Sequence, residues 1–523
     1  MNTLHSYVQG QWQAPTEPGK PLHDAVTGQE IAHISSAGVD MAATLDYGRA
    51  AGGPALRELT FPQRAELLQA LTDHLREHRQ ELYTLSARAG ATLFDARFDV
   101  DGGLTEVNTY ASRGRDELPD ATYYVEDTAE RLGRRKGSFL GQHICVPLHG
   151  VAVQINAYNF PVWGPLEKLS QAVLGGVPSV IKPASQTAYI TARLVELIVE
   201  SGILPPGAVQ LVCGGVGDMF DHLTEQDLVS FTGSAATAQR LRNHPVISAS
   251  SVRFNAETDS LNCSILGPDV VPGSPEFDLY VDQLVTEMTV KAGQKCTAIR
   301  RAFVPAQAVD AVLEAVGARL ASVTVGNPTN PDVNMGALAG VKQRDEVRGS
   351  LNTLQHAGRV VFGDAHGVDV LDADAERGAF MSPVLLHCAD TDRKEPHEVE
   401  AFGPVSTVLP YTSVEQAIQL AARGQGSLAG SVVTGDADLA RRVVLGLAPW
   451  HGRTLVLDQH DAKESTGHGA PLAPLVHGGP GRAGGGEEMG GIRGVLHHMQ
   501  RTAVQAGPDV LAAVTGSRTW SAE

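Results

Sequence analysis

Apolar and polar positions alternate in two different rhythms along the chain. Over residues 60–90, Leu67, Leu68, Leu71 and Leu75 recur at helical spacing and predict a long amphipathic helix. Thr60 can cap that helix, and Pro62 suits its first turn. After residue 150 the rhythm shortens. Runs at 151–155, 179–181, 209–212, 228–231 and 264–266 are apolar and β-rich, and a helix is predicted from about 187 to 200, stopping at Gly202. Short apolar strands alternating with helices predict a parallel sheet covered on both faces, with ligands bound at the carboxyl ends of its strands. Gly267-Pro268 and Pro272-Gly273 then predict a domain boundary. A second α/β segment follows over about 275–475. The glycine-rich stretch 478–491 reads as either a linker or a packed loop, because apolar, helix-forming residues resume at Ile492.

The length, 523 residues, is too great for one ordinary core and implies at least two domains. A composition of 42% hydrophobic and 19% charged residues is globular. Lys+Arg 41 against Asp+Glu 59 leaves a net charge of −18, which argues against a nucleic-acid partner. No apolar run approaches the ~18–20 residues of a membrane span, and the amino end lacks the pattern of a signal peptide. Five scattered cysteines form no C-x-x-C pair, so neither a disulfide framework nor a metal site is expected, and a cytoplasmic protein is.

Four short segments put reactive or polar side chains at strand ends or beside small residues, where an α/β protein builds a site. They are 155–163 (I-N-A-Y-N-F-P-V-W), 180–185 (V-I-K-P-A-S), 230–234 (S-F-T-G-S) and 291–297 (K-A-G-Q-K-C-T). Cys296 lies among residues that are not core neighbours, unlike Cys145, Cys213, Cys263 and Cys388, which read as core thiols.

In this order, with E-A-F-G-P-V at 400–405 downstream, the segments resemble the aldehyde dehydrogenase superfamily over nearly the whole chain, from Tyr7 to about Ala503. The resemblance implies an α/β fold with a Rossmann-type cofactor domain (1–136 and 156–266), an α/β catalytic domain (267–485) and a small oligomerisation strand flap (137–155 and 495–508). It implies NAD(P)-dependent oxidation of an aldehyde by a homodimer or dimer of dimers. Cys296 corresponds to the family nucleophile, Asn159 to the amide that holds the developing oxyanion, and Glu257 to the base that activates water. Where most relatives have E-L-G-G, this chain has E-T-D-S at 257–260, which makes Asp259 a rival base by composition. The glutamate favours hydrolysis over transfer to coenzyme A.

For the cofactor, the resemblance assigns Lys182, Ser185, Phe231, Gly233, Ser234, Glu400 and Phe402. Ser185 stands where strictly NAD-dependent relatives carry a glutamate. A serine removes the charge that would repel a 2′-phosphate, so NADP is expected, with NAD as the alternative. Ala238 replaces a glycine of the usual family continuation after Gly233-Ser234, and the segment is not a G-x-G-x-x-G fingerprint.

Segments 257–262, 293–301, 465–469 and 475–488 are unusual within the superfamily. They look like the dehydrogenase half of the bifunctional oxepin-CoA hydrolase/3-oxo-5,6-dehydrosuberyl-CoA semialdehyde dehydrogenases, and are also similar to 3,4-dehydroadipyl-CoA semialdehyde dehydrogenases. This implies a small-molecule aldehyde linked to CoA. The rival readings are a general aldehyde dehydrogenase, a CoA-acylating enzyme and a non-catalytic relative. Arg300, Arg301 and Arg482 read as structural or surface arginines, with phosphate contact as the alternative. His468 and His477 read as loop histidines, with the substrate mouth as the alternative.

Overall fold

The computed structural model describes residues 3–134 and 138–516. Two seven-stranded sheets organise the chain. The first runs Arg253–Glu257, Leu228–Thr232, Ala152–Ile155, Ser179–Lys182, Val209–Leu211, Ser6–Val8, Gln11–Gln13. Its first five strands are parallel, and Ser6–Val8 joins antiparallel. Ala152–Ile155 is buried at every position, as expected of a strand covered on both faces. Glu257 pairs with Thr232, and Ile155 with both Phe231 and Lys182. Three of the four sequence segments, together with the strand that ends in Glu257, therefore end side by side at the carboxyl edge of one sheet.

The predicted helices form. Phe61–Ala87 starts from a capping box made by Thr60 and Gln63, and Leu68, Leu71 and Leu75 are buried in the core beneath it. Ala188–Ser201 stops where Gly202 turns left-handed, at φ 62°.

The second sheet runs Arg359–Phe362, Val384–His387, Val405–Tyr411, Arg301–Pro305, Cys263–Leu266, Ser427–Val433, His451–Leu457, and only its first pair is antiparallel. This corrects two expectations. Cys263–Leu266 is central to the second sheet rather than the last strand of the first. The chain thus crosses between sheets over 258–262, before the Gly-Pro boundary at 267. The short apolar run alone carries no information about which sheet it joins.

A separate three-stranded antiparallel sheet consists of Met499–Ala506, Leu140–Pro147 and Tyr124–Arg131. The expected flap span 137–155 therefore takes in a strand of the first sheet, Ala152–Ile155, and omits Tyr124–Arg131. Residues 135–137, where the expected cofactor domain gives way to the flap, lie outside the described residues.

The glycine-rich stretch is a packed loop. Val476–Gly478 pairs antiparallel with Glu487–Met489, and the turn between them lies on the strand that carries Glu257. Thr258 donates from its backbone N–H to the Ala483 carbonyl at 3.0 Å and from its hydroxyl to the Arg482 carbonyl at 2.6 Å. A Cβ on Gly484 would stand 2.2 Å from the Ala256 carbonyl oxygen, at a φ of +107°. Gly484→Ala is therefore expected to cost about 1–3 kcal/mol and to lower the thermal midpoint, measured by calorimetry.

Candidate active site

The nucleophile loop is delivered by an unusual backbone. Lys291, Ala292 and Gly293 are consecutively left-handed, at φ 53°, 51° and 67°. Such geometry costs free energy at non-glycine residues and persists only where neighbours fix it. Here the Lys291 N–H donates to the buried Asp95 carboxylate at 2.7 Å. Arg300, fully enclosed, donates to the carbonyls of Gly293, Lys295 and Gly403. Asn262 donates to the Cys296 carbonyl at 2.8 Å. Arg300 and Arg301 are thus interior carbonyl clamps and not phosphate contacts.

Cys296 stands where two cavities meet. An open cleft runs along the carboxyl edge of the first sheet. A much smaller cavity lies on the other side, bounded by Phe160, Trp163, Lys168, Thr297, Pro471 and His477. Asn159, Glu257 and Cys296 line both. The Asn159 amide donates to the Gln294 carbonyl at 3.0 Å, which holds it against the cysteine loop.

Glu257 and Cys296 are joined by a third group, His477, which the sequence reads as a loop histidine. His477 Nε2 is 3.0 Å from Glu257 Oε2 and 4.0 Å from Cys296 Sγ. The donor atoms of the three side chains all lie within 4.8 Å of one another. Burial pushes the Glu257 carboxyl up, but His477, Lys168 and the Cys296 thiol outweigh it and hold it at about 2. Burial, and then the Glu257 charge, push the Cys296 thiol well above its ordinary value. Lys168 pairs with Glu488 at 3.0 Å, both buried, directly behind Glu257. Glu488 is the residue paired with His477 across the hairpin. The rival base Asp259 is committed elsewhere, accepting from the Ala235 N–H at 2.9 Å.

The large cleft gathers Lys182, Phe231, Gly233, Ser234, Glu400 and Phe402. Ser185 is half-buried between two lining residues, Ala184 and Gln186. Ser234 caps the helix Ala235–Arg242, whose positive end faces the cleft. Burial lowers the Lys182 ammonium and lifts Glu400 to about 7, against the pull of Arg300. Arg482, read as a surface arginine, also lines this cleft. Two buried polar atoms beside it, Thr232 Oγ1 and Glu400 Oε1, accept no hydrogen bond from the protein, although Arg300 Nε stands 3.9 Å from the latter. A dinucleotide fits this arrangement: the helix end suits a pyrophosphate, and the orphaned oxygens suit ligand hydroxyls.

Cys145, Cys213, Cys263 and Cys388 are buried in the core, whereas Cys296 is partly accessible. His468 is enclosed with neither ring nitrogen bonded, so it does not line the mouth. His477 does. Its only signal in the sequence was its place before a glycine-rich loop.

A loop-borne thiol facing a dinucleotide-type cleft defines a class of cysteine-dependent oxidoreductase. The chain belongs to the aldehyde dehydrogenase family, whose pattern matches residues 12–499. It is 46% identical over 479 residues to the 3,4-dehydroadipyl-CoA semialdehyde dehydrogenase of Aromatoleum evansii, covering 91% of this chain and 93% of that one. Over 183 residues it is 50% identical to Protein MaoC of Klebsiella aerogenes, covering 34% of this chain and 52% of that one. Among solved structures, the betaine aldehyde dehydrogenase of Staphylococcus aureus, in complex with NAD+, superposes with a TM-score of 0.81. It is 23% identical, with 96% of this chain and 95% of that one covered. The protein is thus an NAD(P)-dependent oxidoreductase with the family's α/β fold. No helix among the described residues is long and apolar enough to cross a membrane.

The raised thiol gives a direct test. Without cofactor, alkylation of Cys296 by iodoacetamide is expected to stay slow at about pH 8.5, where an ordinary cysteine is half ionised. Glu257→Gln removes the opposing charge and is expected to quicken alkylation at the same pH, followed by mass spectrometry.

Proposed function

We propose that the protein oxidises a CoA-linked semialdehyde irreversibly to a carboxylic acid, using NADP. The single observation that carries the reading is the placement of Cys296 between two cavities, with Asn159 and Glu257 lining both. The likeness to a CoA-semialdehyde dehydrogenase over nearly all of both chains supports the substrate class.

Cys296 sulfur attacks the aldehyde carbon from the smaller cavity. The negative charge that develops on the former carbonyl oxygen is met by the Asn159 amide, a donor already fixed in place. When bound in the large cleft, the nicotinamide cofactor accepts a hydride from the resulting adduct. Lys182, Phe231, Gly233, Ser234, Glu400 and Phe402 hold it there. Ser185 leaves room for a 2′-phosphate without like-charge repulsion. Cys296 is then acylated as a thioester, and Glu257 takes a proton from the water that attacks it.

Around this centre, residues up to Glu257 make the cofactor domain and the second sheet belongs to the catalytic domain. The three-stranded flap adds to a partner's sheet in a dimer or dimer of dimers. The enzyme works in the cytoplasm.

Cys296→Ala is expected to abolish NADPH formation while leaving cofactor binding intact by calorimetry. Asn159→Ala is expected to lower kcat about 10²–10³-fold. Glu257→Gln is expected to give one burst of NADPH and then stall with an acylated Cys296. A second measurement compares kcat/KM for a CoA-linked semialdehyde with that of the same chain lacking CoA. Near-equal values would leave a general aldehyde dehydrogenase, and a requirement for added free coenzyme A would make it an acylating one. Ser185→Glu is expected to shift preference from NADP toward NAD.

A further inference from the structure

We propose that His477 is a positioning residue of the hydrolytic step: it grips one oxygen of Glu257 so that the other faces the acylated cysteine and takes the proton from water. The inference rests on the proposed acyl-enzyme route and adds a group that neither the family motifs nor the sequence reading assigns.

The geometry is specific. Glu257 has two carboxylate oxygens. Oε2 lies 3.0 Å from His477 Nε2. Oε1 is buried and has no hydrogen-bond partner. Two lone pairs facing one another at that distance would repel, so the ring proton sits on Nε2 and donates to Oε2. Buried carboxylate oxygens are normally hydrogen-bonded, so the unpartnered Oε1 is free to accept a proton. The Cys296 sulfur lies 4.0 Å from the same imidazole nitrogen, and the donor atoms of all three side chains lie within 4.8 Å of one another.

His477 itself is held rigidly. It sits in a strand whose partner carries Glu488, and Glu488 is bonded to Lys168. Glu257 is faced by Cys296 and His477, by Lys168 and Glu167 of the helix Trp163–Leu174, and by Arg453 of the strand His451–Leu457. Lys168 is already bonded to Glu488, so His477 is the neighbour that can orient the carboxylate by a hydrogen bond.

The step balances as follows. Water oxygen bonds to the thioester carbonyl carbon while one of its protons passes to Oε1. The C–S bond breaks, the free acid leaves, and the proton returns from Oε1 to the Cys296 sulfur. Oε2 remains bonded to His477 throughout.

The test uses the full enzyme with His477→Leu and His477→Gln, each checked by thermal melting and cofactor binding. Leucine removes the donor; glutamine keeps an N–H near the position of Nε2 but does not titrate. In His477→Leu the first-turnover NADPH burst is expected to stay within about 3-fold of the parent, while steady-state kcat falls about 10-fold or more. Without the imidazole, burial acts on Glu257 less opposed, so the acid limb of the kcat profile is expected to move up by about one pH unit or more. Activity is then lost at a higher pH as the solution is acidified. His477→Gln keeps the hydrogen bond but not the imidazolium charge, and is expected to restore the rate and to return the acid limb only part of the way. Equal losses in the two variants, an unmoved acid limb in His477→Leu, or loss of its burst would overturn the proposal. If the parent enzyme itself forms no NADPH, the functional reading fails instead. Cofactor-free alkylation of Cys296 against pH then still decides the point: an identical profile in the parent and His477→Leu would show that His477 does not govern Glu257.

Discussion

Everything at the centre of this molecule depends on how closely the glycine-rich turn at 478–491 lies against the strand that ends in Glu257. Ala483 and Arg482 offer their carbonyls to Thr258, and the glycine beside them leaves no room for a side chain. That contact ties the two halves together beside the bonds from Asn159 to the Gln294 carbonyl and from Lys291 to Asp95. It also fixes the height of the neighbouring hairpin, and so sets His477 and Glu488 beside Glu257, Cys296 and Lys168, which come from other parts of the chain. The departure E-T-D-S at 257–260 belongs to the same contact: Thr258 binds the turn, and Asp259 caps the helix at Ala235.

Charge is handled by enclosure. Arg300 and Arg301 are buried and spend their donors on carbonyls, so they act as stitches between loops. A guanidinium keeps its charge even when burial lowers it, which makes it suited to this use. The carboxylates divide by surroundings. Glu257, beside an imidazole and an ammonium, is held low, whereas Glu400 is lifted by burial against a weaker arginine pull. Two acids of one residue type thus carry different charge near neutrality within one cleft.

The two cavities give the chemistry a direction. The space on the side of Phe160 and Trp163 and the cleft along the sheet edge adjoin at Asn159, Glu257 and Cys296. Burial and the Glu257 charge oppose ionisation of the thiol, and a thiol held protonated is the weaker nucleophile.

The long helix after Thr60, the parallel strands and Cys296, Asn159 and Glu257 as site candidates were legible along the chain. The helix and the strands rest on local rules, namely helical spacing, capping and β-rich runs, whereas the three site candidates rest on the resemblance carried by the short segments around them. Which sheet Cys263–Leu266 joins, and that Ala152–Ile155 is not part of the flap, were not legible, because a four-residue buried strand pairs equally well with any apolar neighbour. His477 was also beyond reach: a loop histidine acquires its meaning only from what folds against it. The sequence by itself determined the reactive groups and the elements that present them. The tertiary structure alone decided that an imidazole more than 200 residues from Glu257 completes the cluster, since that distance along the chain is closed only by a turn of glycines packed on a strand.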